Sequence, residues 1–159
     1  PRLDQLFADL QTPLSTNAVE EIEAKIWTYW TSFPDDERVE NTMTQATQLM
    51  QAGQLQLAER ILSRIIDREP DFSEAWNKRA TVRFMIGNHD GPANDIAKVL
   101  QLEPRHFGAL SGLGMIHMRA GNWESALKSY KAAFAIHPYL NNIETLIDNL
   151  SQRLKGQAL

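Results

Sequence analysis

The residues best suited to acid–base or metal chemistry are four histidines, His89, His106, His117 and His137. Their spacing assembles nothing. His89 falls in an expected turn, while His106 and His137 stand near segment boundaries, which keeps them far apart in the expected fold. No H-E-x-x-H sequence and no carboxylate–histidine cluster at ligand spacing occurs, so no metal site is expected. Ser111 and His117 are six residues apart, about 240° around a helix, and cannot form a nucleophile–base pair on one face. His117 is expected to be a packed histidine. Gly112-Leu113-Gly114 is too short to cradle a phosphate and follows no expected strand. Asp35-Asp36-Glu37 is expected to be a solvated loop rather than a cation site. With no cysteine there is neither a thiol nucleophile nor a disulfide framework. The expectation is a non-catalytic chain with no cofactor.

Composition narrows the partners. The chain has 159 residues, 43% apolar and 23% charged, the make-up of a folded single domain. A net charge of −4 gives no electrostatic reason to expect nucleic acid or an anionic membrane. No apolar run approaches the roughly 20 residues that a bilayer span needs. The sequence begins at Pro1 rather than at methionine, which is expected of a mature or trimmed form.

The elements that must carry any function are written by a period. Gly53, Gly87 and Gly121 recur every 34 residues, and so do Pro70, Pro104 and Pro138. Repetition at this interval is the mark of helix-turn-helix units. The units are 39–72, 73–106 and 107–140. Small residues at unit position 8 (Ala46, Ala80, Gly114) and position 20 (Ala58, Ala126) let two antiparallel helices approach closely. The glycine at position 15 lies just past the first helix, where a left-handed residue ends it. The proline stops the second helix. The expected pairs are 39–52 with 55–69, 73–86 with 90–103, and 107–120 with 124–137. Apolar positions keep helical spacing between the stops: Leu57, Ile61, Leu62, Ile65 and Ile66 in unit one, Leu127, Tyr130, Phe134 and Ile136 in unit three. In unit two, Pro92 replaces the small residue and is expected in a first helical turn capped by Asp90. Arg79 and Arg83 occupy positions that are usually apolar. They are expected to lay their stems along the core, with a contact to an acidic ligand as the alternative.

The flanks are helical too. Leu3, Leu6, Phe7 and Leu10 mark a short amphipathic helix that Pro13 ends. Val19, Ile22, Ile26, Trp27, Trp30 and Phe33 share one face of a second, with Asn17 and Glu20 as a capping-box variant and Pro34-Asp35-Asp36 as its stop. Asn141 or Asn142 is expected to cap a last helix that turns Ile143, Leu146, Ile147, Leu150 and Leu154 inward and Asn149, Gln152 and Arg153 outward. The total is nine helices and no strand.

The pattern W-x2-L-G-x2-Y…A-x3-F…P resembles the tetratricopeptide repeat. Leu110, Leu113, Gly114, His117, Ala126, Tyr130 and Pro138 carry it in unit three. Trp76, Ala80 and Pro104 carry it in unit two, and Ala46, Leu49, Ala58, Leu62 and Pro70 in unit one. The resemblance implies an all-α tetratricopeptide α-solenoid, a right-handed superhelix of hairpins, as one domain. Residues 1–38 would form an N-terminal helical hairpin and 141–159 a capping helix that shields the last repeat. The opening helices resemble those of small bacterial tetratricopeptide proteins that often carry a secretion signal. That points to the periplasm, with the cytoplasm as the alternative.

The same resemblance implies a non-catalytic protein-interaction scaffold whose partner is a protein or peptide. Its concave surface would use unit positions 2, 5, 9, 12 and 13. The expected groove residues are Met43, Thr47, Met50, Asn77, Thr81, Phe84, Met85, Ser111, Met115, Met118 and Arg119, which include all five methionines of the chain. Thioether side chains suit an apolar or amphipathic segment. The family's two-carboxylate clamp for acidic chaperone tails is absent, since its places hold Met43, Thr47, Lys78, Gly108 and Gly112. Gly108 and Gly112 are expected to leave bare helix surface for a partner backbone. Self-association, or service as an accessory to a catalytic complex, is the alternative.

Overall fold

The periodic glycines end their helices in one repeated way. A computed structural model describes residues 2–12, 15–33, 36–88 and 90–157. In it Gly53, Gly87 and Gly121 have φ of 72°, 88° and 73°. At each, the glycine N–H donates to the carbonyl three residues back and the next N–H to the one five back: Gly53 to Met50 and Gln54 to Leu49, and likewise after the other two. A Cβ at any of the three would meet nothing within 4 Å. Handedness rather than space therefore demands glycine. The residue before each periodic proline is extended, as the proline ring requires: Glu69 at φ −127°, Glu103 at φ −137° and His137 at φ −132°.

These stops cut the chain into α1 (Arg2–Asp9), α2 (Thr16–Thr31), α3 (Glu37–Gln51), α4 (Leu55–Arg68), α5 (Ser73–Ile86), α6 (Gly91–Leu102), α7 (Phe107–Arg119), α8 (Trp123–Ile136) and α9 (Ile143–Gln157). The described residues contain no strand. The all-α repeat fold expected from the 34-residue period is the one observed. Pro13, Pro34, Asp35 and His89, for which turns or helix stops are expected, lie outside the described residues.

The helices gather into two compact units. One comprises Trp30–Pro104, with α3 against α4, α4 against α5 and α5 against α6. Its core holds Val39, Met43, Ala46, Ala58, Ile61, Leu62, Ile65, Ile66, Phe72, Ala75 and Val82. Leu57, expected among them, is exposed, while Ala58 beside it is buried as its small size at unit position 20 predicts. Asp36 caps α3 by accepting from the Arg38 N–H at 2.8 Å and also pairs with Arg68 at 2.8 Å. At the start of α6, Asp90 makes no side-chain cap bond. The Asn88 side-chain oxygen accepts from the Asp90 and Gly91 N–H groups at 3.2 and 3.0 Å, and Pro92 sits in the first turn as expected.

The other unit comprises Pro1–Tyr29 and Arg105–Leu159. Here α8 packs between α7 and α9, with Ala126, Tyr130, Ala133, Ile143 and Leu150 buried. The expected inward face of α9 is the packed one, and Arg153 lies outward over the Trp123 ring at 4.1 Å. Gly114 receives the Tyr130 ring, so close that a Cβ would stand 2.6 Å from Cε1. Helix α1 and the turn after it are tied to this unit: Arg105 pairs with Asp4 at 2.7 Å, and the Tyr139 hydroxyl donates to the Thr12 carbonyl at 2.6 Å. At the start of α2 the Ser15 hydroxyl accepts from the Ala18 N–H at 3.4 Å, the place expected for Asn17.

Candidate functional site

The expected groove residues divide between the two units. In the Trp30–Pro104 unit, helix α3 turns Met43 into the core, where it is 4% exposed. Unit position 5 of this helix thus packs inward, although Met43 also lines a cavity beside α3. Met50 is half-buried against the same core. The Thr47 and Thr81 hydroxyls donate to the carbonyls one turn back, Met43 at 3.0 Å and Asn77 at 3.1 Å. The Asn77 amide donates to buried Glu74 at 3.0 Å, and Lys78 lies 3.7 Å from the same carboxylate. Phe84 is half-buried and Met85 is exposed. That cavity, of about 540 Å³, is lined by Glu40, Met43, Thr44, Thr47, Gln48 and Lys78 among others, so the expected groove residues Met43 and Thr47 both border it. Its wall is mostly polar, with Met43 as its methionine.

Arg79 and Arg83 are engaged inside the same unit. Both guanidinium groups converge on Asp95, which is only 2% exposed. Arg79 reaches it twice, through Nε at 3.0 Å and Nη2 at 2.7 Å, and Arg83 once, through Nη1 at 3.0 Å. Arg83 Nε also donates to Glu59 at 2.7 Å and Arg79 Nη1 to the Ser63 hydroxyl at 3.0 Å. The acidic partner of these arginines is therefore the chain itself. The Arg79 guanidinium also lies 4.9 Å from the Trp76 ring centre, so its head is engaged in the interior and not in water as expected.

The other unit builds the larger concavity, about 960 Å³. One wall is α2, through Val19, Glu20, Glu23 and Trp27. The facing wall is α7, through Phe107, Gly108, Ser111 and Met115, and residues 138–146 close the end. Met115 is 50% exposed and Arg119 is exposed, whereas Met118 is half-buried against the α8–α9 core. Gly108 is not bare. A Cβ there would lie 2.7 Å from Trp27 Cη2, so the chain's own α2 occupies the surface expected for a partner backbone.

Aromatic packing fixes that wall. Trp27 meets His106 and Phe107 edge-on, each with centroids 5.6 Å apart, and Phe107 meets His137 at 4.7 Å. His106, on Trp27, and His137, on Phe107, thus belong to one aromatic cluster, which corrects their expected separation. His106 accepts the Ala109 N–H at 3.1 Å and so caps α7. His137 is fully buried, and burial holds its pKa below the usual 6.5 although Glu23 pulls it upward. His137 Nε2 stands 3.3 Å from Glu23 Oε2, within ion-pair reach but without hydrogen-bond geometry. Trp27 Nε1 donates to the other oxygen of Glu23 at 3.2 Å. Sequence reasoning put Trp27 on the apolar face of its helix but had no signal for Glu20, Glu23 or Glu144 as cavity residues. Their meeting with α7 and α9 spans more than 80 positions.

With this geometry in place, the comparisons with known proteins agree. Family models described as Tetratricopeptide repeat match residues 43–95 and 107–140. A TPR repeat-containing protein of Rhizobium etli is 32% identical over 98% of this chain and 76% of its own length. Human DnaJ homolog subfamily C member 3 is 29% identical over 76% of this chain, which spans 25% of that protein. Among solved structures, the first TPR of Spaghetti (RPAP3) bound to the HSP90 peptide SRMEEVD superposes with a TM-score of 0.71 at 17% identity. It covers 76% of this chain and 96% of its own. The Yersinia enterocolitica type III secretion chaperone SycD, in complex with a peptide of the translocator YopD, gives 0.70 at 10% identity, with 74% and 95% covered.

Proposed function

The chain belongs to the tetratricopeptide repeat family, and on that premise we propose that it is a non-catalytic interaction module. It docks an apolar or amphipathic segment of a partner protein in the cavity between α2, α7 and α9. The observation that carries the reading is Met115. It stands half exposed in a concavity of about 960 Å³ whose walls include Trp27, Phe107, Leu140 and Leu146. An adaptable thioether over an aromatic floor accepts apolar side chains of varied shape. The two peptide-bound relatives support a segment rather than a small molecule as the ligand class.

An acidic chaperone tail is not that segment. At the clamp positions Met43 is in the core, Thr47 is bonded to its own helix and Gly108 lies under Trp27. The test is to select binders from a phage-displayed peptide library on the wild-type protein, then measure them on Met115→Lys. An exposed position tolerates the ammonium, so the melting temperature should stay within about 2 °C while affinity falls at least tenfold. Selected peptides that bind the variant as tightly as wild type would place docking elsewhere.

A further inference from the structure

We propose that the α2–α7–α9 cavity selects segments that carry a lysine or arginine beside their apolar face. The inference rests on that cavity being the docking site and adds the charge class of its occupant. The described residues lining it include three carboxylates, Glu20 and Glu23 from α2 and Glu144 from α9, and no lysine or arginine. Glu20 and Glu144 are exposed, and neither pairs with a cation among the described residues. Glu23 differs in being held. Its two oxygens face Trp27 Nε1 and the buried His137 Nε2, which fixes the carboxylate beside the indole while leaving lone pairs open.

The α2 wall and the start of α9 at the cavity's end thus present negative charge around an apolar floor, and that floor is also aromatic, through Trp27 and Tyr139. A cationic side chain entering there gains Coulomb attraction from both helices and from the Trp27 and Tyr139 rings, with its stem on the apolar surface. An acidic segment meets like charge at every one of those positions. Across two or three exposed pairs, discrimination of about tenfold at low ionic strength follows, shrinking as salt screens the rim.

The test is fluorescence anisotropy with four labelled peptides. Three share one amphipathic apolar face and carry Lys, Gln or Glu at the polar positions; the fourth is SRMEEVD, the peptide of the structural relative. The Lys peptide should bind about tenfold tighter than the Gln peptide and the two acidic peptides more weakly still. The order should flatten in high salt. The Glu20→Gln/Glu144→Gln double variant should equalise Lys and Gln peptides while keeping the Gln affinity of wild type. Equal binding of Lys and Gln peptides to wild type, with both lost in Met115→Lys, overturns the charge selection and leaves the docking site standing. Binding of any of them that ignores Met115→Lys, or binding of none, overturns the docking reading and this inference with it. If instead a second copy of the chain occupies the cavity, sedimentation will show an oligomer that Met115→Lys dissolves, which also overturns it.

Discussion

Replacing Asp95 with alanine tests whether the buried charge cluster is a fixed part of the fold. The carboxylate is 2% exposed and accepts three charge-assisted hydrogen bonds, two from Arg79 and one from Arg83, whose side chains are 12% and 22% exposed. Arg83 would still hold Glu59 at 2.7 Å. Arg79 would keep the Ser63 hydroxyl and the Trp76 ring, neither of which balances a buried positive charge. Stripping one partner from a buried pair costs about 3–5 kcal/mol, against about 0–1 for an exposed pair. With Arg83 partly compensated, the lower end applies, about 3 kcal/mol. Typical total stability is about 5–15 kcal/mol, so the variant should remain folded but melt early. Asp95→Asn keeps one acceptor and should lose about 2 kcal/mol. Urea unfolding followed by far-ultraviolet circular dichroism reads both. Adding Arg79→Met to Asp95→Ala removes the orphaned charge, so the double variant should recover at least about 1 kcal/mol relative to additivity. A loss below about 1 kcal/mol for Asp95→Ala, or strict additivity in the cycle, would refute the buried-network argument.

Two further predictions concern the other unit. A helical glycine with room around it gains about 1 kcal/mol on becoming alanine, but at Gly114 the new Cβ would stand 2.6 Å from Tyr130 Cε1. Gly114→Ala should therefore lose about 1–2 kcal/mol net, and a rise in melting temperature would show the helices separating freely. Burial lowers the His137 pKa from 6.5 despite the opposing pull of Glu23, so the unfolded chain takes up the proton first as pH falls. Its contribution is complete above about pH 6.5, declines as pH falls toward the lowered folded pKa and levels off beneath it. Urea midpoints across pH 7.5 to 5 should slope more steeply for wild type than for His137→Gln; parallel slopes would mean the imidazole titrates alike in both states.

What was legible in the sequence follows the reach of each signal. Gly53, Gly87 and Gly121 were readable because a positive φ is a local demand that few residues meet. The helix stops before Pro70, Pro104 and Pro138 are local too. Faces were less secure, since one residue moves a side chain about 100° around a helix. Leu57 is therefore exposed although it keeps the helical spacing, and Met43 packs inward while still bordering the α3 cavity. Cap residues were placed close to their positions but one or two residues off, with Asn88 serving where Asp90 was expected and Ser15 where Asn17 was. Long-range pairings left no periodic trace. Asp95 lies on the helix after Arg79 and Arg83, and nothing in a polar residue's spacing says that two arginines will close on it.

The contact between Trp27 and Gly108 shows why the repeat pattern alone could not describe the site. A repeat encodes its own hairpin: Gly114 is small because Tyr130 of the same unit fills the space above it. Gly108 is small for a different reason, which is the indole of a helix outside the repeats. Once Trp27 is seated, α2 adds a second wall to what would be a single open helix face. The carboxylates on that wall, Glu20 and Glu23, come from a segment the period does not govern. The repeats supply the framework; under the docking reading proposed above, the residues that would distinguish one ligand from another come largely from α2 and the start of α9. On that reading, a ligand preference transferred from a relative on the strength of the repeats would miss the determinants, and comparison has to be made on the flanking helices.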